Sequence, residues 1–140
     1  MKKEVQKKIN SKELAIGAWV LSDGERALIT TLEKKDNMLY VEAKIFDGHN
    51  DMCTDEIAVS PKDLQPIPVT DELLVKNGWT LDRSCSNVYI HPQLGIKNKI
   101  VLKQNVPVFH EFRVPYVHQL QNVLNMFNEN IGIDLQLFKI

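Results

Sequence analysis

Cysteine is scarce. Cys53 and Cys85 are the only two in 140 residues, too few for the disulfide framework that staples small secreted domains. No run of about 18 apolar residues occurs, so no helix is expected to span a membrane. The six glycines stand singly, as turn residues do, and none forms a Gly-rich phosphate loop. Neither sign of charge dominates, with 17 Lys and Arg against 18 Asp and Glu for a net -1. That balance excludes the strongly basic footprint usual among nucleic-acid binders and the acidic bias of a solvating tail. The start, residues 1–8, is basic with no apolar stretch behind it, so the expectation is no export leader and a reduced, cytoplasmic chain.

What is present is an ordinary globular composition, 44% hydrophobic and 25% charged, enough to bury a core without staples. Residues 1–13 are polar and lysine-rich and read as a flexible arm. From Leu14 the apolar pattern has period two. Trp19-Val20-Leu21 leads into Ser22-Asp23-Gly24-Glu25 and then Arg26-Ala27-Leu28-Ile29-Thr30-Thr31-Leu32. Asp-Gly between β-prone runs signals a two-residue hairpin, because both turn residues need positive φ. Lys35-Asp36-Asn37 marks a second turn. After it Leu39, Val41, Ala43 and Ile45 alternate with Tyr40, Glu42 and Lys44, as in a half-buried strand. A polar turn at 47–51 and a short strand at Ile57-Ala58-Val59 follow. These strands predict a small SH3-like barrel over 14–68, closed by a Pro66-Ile67-Pro68 exit that withholds backbone donors.

Thr70 predicts a helix start, with Asp71 and Glu72 in its first turn and a Val69–Leu74 staple. Gly78 predicts its end. Short strands are then expected at 79–82, 87–91, 99–103 and 108–113. Val117, Leu120, Val123, Leu124, Phe127 and Ile131 form one apolar stripe at helical spacing over 116–130, and 133–138 reads as a last strand. The fold class is therefore α+β: the barrel, a short helix, a small antiparallel sheet and one long amphipathic helix. The 69–140 half is expected to pack with the barrel, or to form one single domain with it.

Two segments carry a resemblance. Pro66-Ile67-Pro68-Val69-Thr70-Asp71-Glu72-Leu73-Leu74-Val75-Lys76-Asn77-Gly78-Trp79 resembles a segment of small uncharacterised proteins from gut bacteria and their phages. There, a Pro-Ile-Pro-Leu-Thr run opens a short helix that ends in Gly followed by an aromatic. Tyr116-Val117-His118-Gln119-Leu120-Gln121-Asn122 resembles the opening of their later helix. An aromatic-rich stretch usually follows, where this chain has Val123-Leu124-Asn125-Met126-Phe127. The resemblance implies a phage or mobile-element accessory protein in the bacterial cytoplasm. It brings no catalytic residue with it.

Four groups of residues are candidates for chemistry. His118, Gln121, Asn122 and Asn125 share the polar side of the long helix and read as a recognition surface, since amides read peptides and bases well. The plainer alternatives are a solvated helix back, or amides that tie neighbouring loops. Trp19, Tyr40 and Phe46, with Lys34, Lys35, Lys44 and the N-terminal lysines, supply the parts of a nucleic-acid surface. Lys97, Lys99 and Lys103 extend it, and Trp19 as a core anchor is the alternative. His91, His110, His118, Cys53 and Cys85 show no ligand spacing, so no metal and no cofactor are expected. Cys85, beside Arg83, or His118 would carry an enzyme reading, for which no nucleophile motif exists. The leading expectation is non-catalytic binding of a protein partner through barrel edges or the His118–Asn125 helix face, a second copy being one such partner. Nucleic-acid binding stands second and a small enzyme third.

Overall fold

The computed structural model describes residues 9–46, 53–82, 84 and 87–131. The Asp23-Gly24 turn forms as predicted. Asp23 (φ 49) and Gly24 (φ 79) both take the left-handed region, and Ser22 faces Glu25 across strands β1 (Trp19–Ser22) and β2 (Glu25–Lys35). Asp36 and Asn37 repeat the device at φ 52 and 63, joining β2 to β3 (Met38–Phe46) with Lys35 opposite Met38. Strand β4 (Cys53–Val59) is longer than the three-residue strand expected there, and β5 (Leu64–Gln65) returns to pair with β1. All pairings are antiparallel and the order is β4-β3-β2-β1-β5. No ladder joins β4 to β5 among the described residues.

Alternation decides which side of this sheet is core. Val20, Ala27, Ile29, Val41, Ala43, Ile45 and Leu64 are buried in one apolar cluster, with Leu14, Leu32, Leu39 and Val59 packed against it. The ladder shifts register between Ile29 and Thr31 and between Lys44 and Phe46. Such bulges kink a strand and sharpen its twist.

Backbone contacts divide the chain into two units, Met1–Ile67 and Pro68–Ile140. The second opens with helix α1 (Asp71–Lys76), capped by Thr70, whose Oγ1 accepts from the Leu73 amide at 3.2 Å. Five short strands follow: β6 (Thr80–Leu81), β7 (Val88–Ile90), β8 (Ile100–Lys103), β9 (Val106–Phe109) and β10 (Phe112–Arg113). They form an antiparallel sheet in the order β10-β9-β8-β7-β6. The segment 108–113 is not one strand, because His110 at φ 55 breaks it into a hairpin with Phe109 opposite Phe112. A further hairpin turns at Gln104-Asn105, φ 53 and 64, without a glycine. Helix α2 (Val117–Ile131) closes the described part. The strand expected at 133–138 and most of the N-terminal arm lie outside the described residues. Residues Ser11–Glu13 form a single 3-10 turn.

Candidate functional site

The side of the first sheet opposite its apolar cluster ought to be polar if it meets only water. It is not. Trp19 faces Leu28, and Leu28 faces Lys44, which faces Glu56, so one cross-strand row reads Trp19, Leu28, Lys44, Glu56. The next row holds Leu21, Arg26 and Phe46. The Trp19 and Phe46 rings meet with centroids 5.1 Å apart at 50°. The Arg26 guanidinium carbon lies 5.7 Å from the Phe46 centroid, a cation–π contact. Trp19, Arg26, Lys44 and Phe46 are all half-buried. Further along the same side of β3, Tyr40 is 50% exposed opposite Glu33, and Met38 is 61% exposed.

Of the sequence-predicted residues, Trp19, Tyr40 and Lys44 therefore share one side of a sheet. Alternation along β3 fixes this for Tyr40 and Lys44, and the Trp19–Leu28–Lys44 register adds Trp19. Arg26 was not among the expected residues, and the signal was available, since it follows the Asp-Gly turn by two residues. Lys2, Lys3, Lys7 and Lys8, with Cys85 and Arg83, lie outside the described residues.

The helix candidates fare differently. His118 and Gln121 are 1% and 2% exposed, inside the fold, while Asn122 is half-buried and Asn125 is exposed. The four do not make one surface. At 3.6 residues per turn, buried Val117, His118, Leu120, Gln121 and Leu124 span an arc of about 160°. That arc is wider than the apolar stripe and swings past it onto the polar side. His118 and Tyr116 are stacked with centroids 6.2 Å apart, and His118, Gln121 and Asn122 all have interaction partners.

The other histidines have packing roles too. His110 stacks on Phe127 at 4.4 Å and 9°, held by Asn98 Oδ1 at 2.8 Å from its Nε2. His91 packs edge-on to Trp79, centroids 5.3 Å apart. Its Nδ1 accepts from the Gln93 amide at 3.2 Å, so the ring carries its proton on Nε2, toward the Asn77 carbonyl that closes α1. Burial holds this imidazole below the usual histidine range, with the Asn77 carbonyl opposing it weakly. Among the described residues no three His, Cys, Asp or Glu side chains could share a metal ion.

One perturbed group escaped the sequence reading altogether. Tyr89, 4% exposed, donates its phenol hydrogen to Asp71 Oδ1. That bond to a carboxylate, with burial second, pushes its pKa up to about 12. The pair lines a shallow cleft of about 170 Å³ between the start of α1 and the β8–β9 hairpin, with Leu74, Leu102 and Pro107 as apolar walls. Tyr89 and His91, two residues apart, thus fasten the first residue of α1 and its C-cap. No described helix is long and apolar enough to cross a membrane. Comparison with protein-family models, curated proteins and solved structures gives no match to this chain.

Proposed function

We propose that the chain is a non-catalytic protein-binding module whose contact is the Trp19–Phe46 side of the first sheet. One observation carries this reading: an aromatic pair, flanked by Arg26 and Lys44 and continued by exposed Tyr40 and Met38, occupies the side of the sheet opposite its apolar cluster. Aromatics, Met and Arg are the residues enriched where proteins meet. The bulged, kinked strands around a single apolar cluster support reading the first unit as an SH3-like small barrel. The resemblance of 66–79 and 116–122 to proteins of gut bacteria and their phages supports an accessory role in the bacterial cytoplasm.

A second reading, nucleic-acid binding, draws on the same side chains, because Arg26 over Phe46 beside Lys44 also suits a stacked base and its phosphate. One experiment separates the two. Tagged chain and its Trp19→Ala/Phe46→Ala variant are used to capture partners from a gut-bacterial lysate with and without nuclease. The expected result is a defined protein that survives nuclease and is lost in the variant. Recovery of nucleic acid instead, released by raising the salt as counterion release requires, would overturn the protein reading in favour of the second.

A further inference from the structure

We propose that the open edge of β4 takes up an extended, proline-free segment of a partner protein, in which basic and apolar residues alternate, as an added strand. The inference rests on the protein-binding reading and gives one of its contacts a chemistry. β4 ends the sheet order and pairs with β3 alone among the described residues. Half of its backbone donors and acceptors therefore point away from the ladder, as a template for another strand. The opposite end of the sheet is poorly suited to this. β5 has 2 residues, and Pro66 and Pro68 just after it withhold their amides. β4 has 7 residues and neither proline nor glycine.

Ile57 is the second observation. It stands opposite Ala43, and Ala43 stands opposite Ile29, so the three make one row across the sheet. Ile29 and Ala43 are 1% and 0% exposed, yet Ile57 is 47% exposed. A row that is core at β2 and β3 runs out into water at β4. An apolar side chain on a further strand, opposite Ile57, continues the row and covers it.

Charge names the other half of the pattern. The segment Cys53-Thr54-Asp55-Glu56-Ile57-Ala58-Val59 has two carboxylates and no cation. Period-two alternation puts exposed Glu56 and Ala58 on the side opposite Ile57. A strand with an apolar residue opposite Ile57 offers its neighbours to that side, where Lys or Arg meets Glu56. The same strand of a second copy brings carboxylates and no cation to meet Glu56, so it fits this edge less well than a basic segment does.

The test uses the full chain, isotope-labelled, titrated with a capped heptapeptide alternating lysine and valine and followed by backbone amide shifts. Shifts confined to β4 and β3 are expected. Binding should be about tenfold weaker for a glutamate–valine peptide or for a lysine–valine peptide with a central proline. Glu56→Lys should reverse the charge preference, and Ile57→Thr, which keeps the β-branched shape, should weaken binding while the spectrum stays folded. Shifts that ignore peptide charge, or no shifts at β4, overturn the proposal. So does a concentration-dependent dimer in sedimentation that Ile57→Thr disperses, which would give the edge to a second copy. The outer face is tested separately. If Trp19→Ala/Phe46→Ala loses the captured protein and still binds the peptide, the edge stands by itself. If the peptide fails while capture by the outer face persists, only the edge is lost.

Discussion

The two sheets have the same number of strands and opposite means of support. The first has strands of up to 11 residues, and its coherence comes from alternation, which gathers side chains of β1, β2, β3 and β5 into one apolar cluster. The second is built from strands of 2 to 4 residues, and a helix of 6 residues packs beside them. Neither is stable alone. An apolar core of Trp79, Ile100, Phe109, Leu120 and Leu124 holds them, and polar fasteners are added to it: Tyr89 to Asp71, His91 to Gln93 and Asn77, and Asn98 to His110. Short elements thus hand part of their stability to buried groups that titrate, Tyr89 and His91 among them.

The comparison can be broken at its core. Each unit holds one of the two tryptophans, Trp19 and Trp79, so a Trp79→Phe background reports the first unit by fluorescence and a Trp19→Phe background the second. Ile29→Ala should cost about 3 kcal/mol and Phe109→Ala about 4 kcal/mol in urea unfolding. Each loss should register in its own unit's reporter. Equal losses in both reporters would mean that the units unfold as one, with no separate stability for either sheet.

A smaller effect sharpens the contrast at alkaline pH. Tyr89→Phe should cost about 2 kcal/mol at neutral pH, the value of a hydrogen bond to a charged group. Because the folded phenol ionises near 12 and an unfolded one near about 10, the unfolded chain loses its proton first as pH rises. The contribution is complete below the ordinary phenol range and disappears as pH climbs through about 12. Phenolate absorbance should show one late-titrating tyrosine that is absent in Tyr89→Phe, and the Trp79 unit alone should weaken.

The smallest effect lies on the acid side. His91 is held below the usual histidine range, so the unfolded chain takes up the proton first as pH falls. Its stabilising share is whole above that range and is lost as pH drops through the lowered value. Protonation also sets a ring N–H against the Gln93 amide, which now donates to Nδ1. Thermal midpoints read by Trp79 should decline below about pH 6.5, and His91→Leu should flatten that slope. An unchanged slope in the variant would remove His91 from the account.

Much of this architecture was legible in the chain. Asp23-Gly24 and Asp36-Asn37 announce their turns because few residues tolerate positive φ, and Thr70 announces its helix by its hydroxyl. Gln104-Asn105 takes the same backbone with no glycine to mark it. The hairpin inside 108–113 was hidden because apolar residues continue through His110. Period two sets Tyr40 and Lys44 on one side of β3, whereas only the strand register adds Trp19 to them. His118 and Gln121 were misread for a physical reason: a polar residue on a helix is usually outside, and local pattern does not say how wide an arc the neighbours will cover. The Tyr89–Asp71 bond joins residues 18 apart, a contact that only the folded backbone creates.

Gly78 sits against one of these fasteners. A Cβ at this position would come within 3.0 Å of His91 Nε2, the atom that carries the proton toward Asn77, and the backbone there is left-handed at φ +90. Positions 78 and 91 are therefore coupled by both space and backbone. A side chain at 78 would both strain the turn that ends α1 and push His91 away from Asn77, so one substitution would loosen the helix end and the acid-sensitive clasp together.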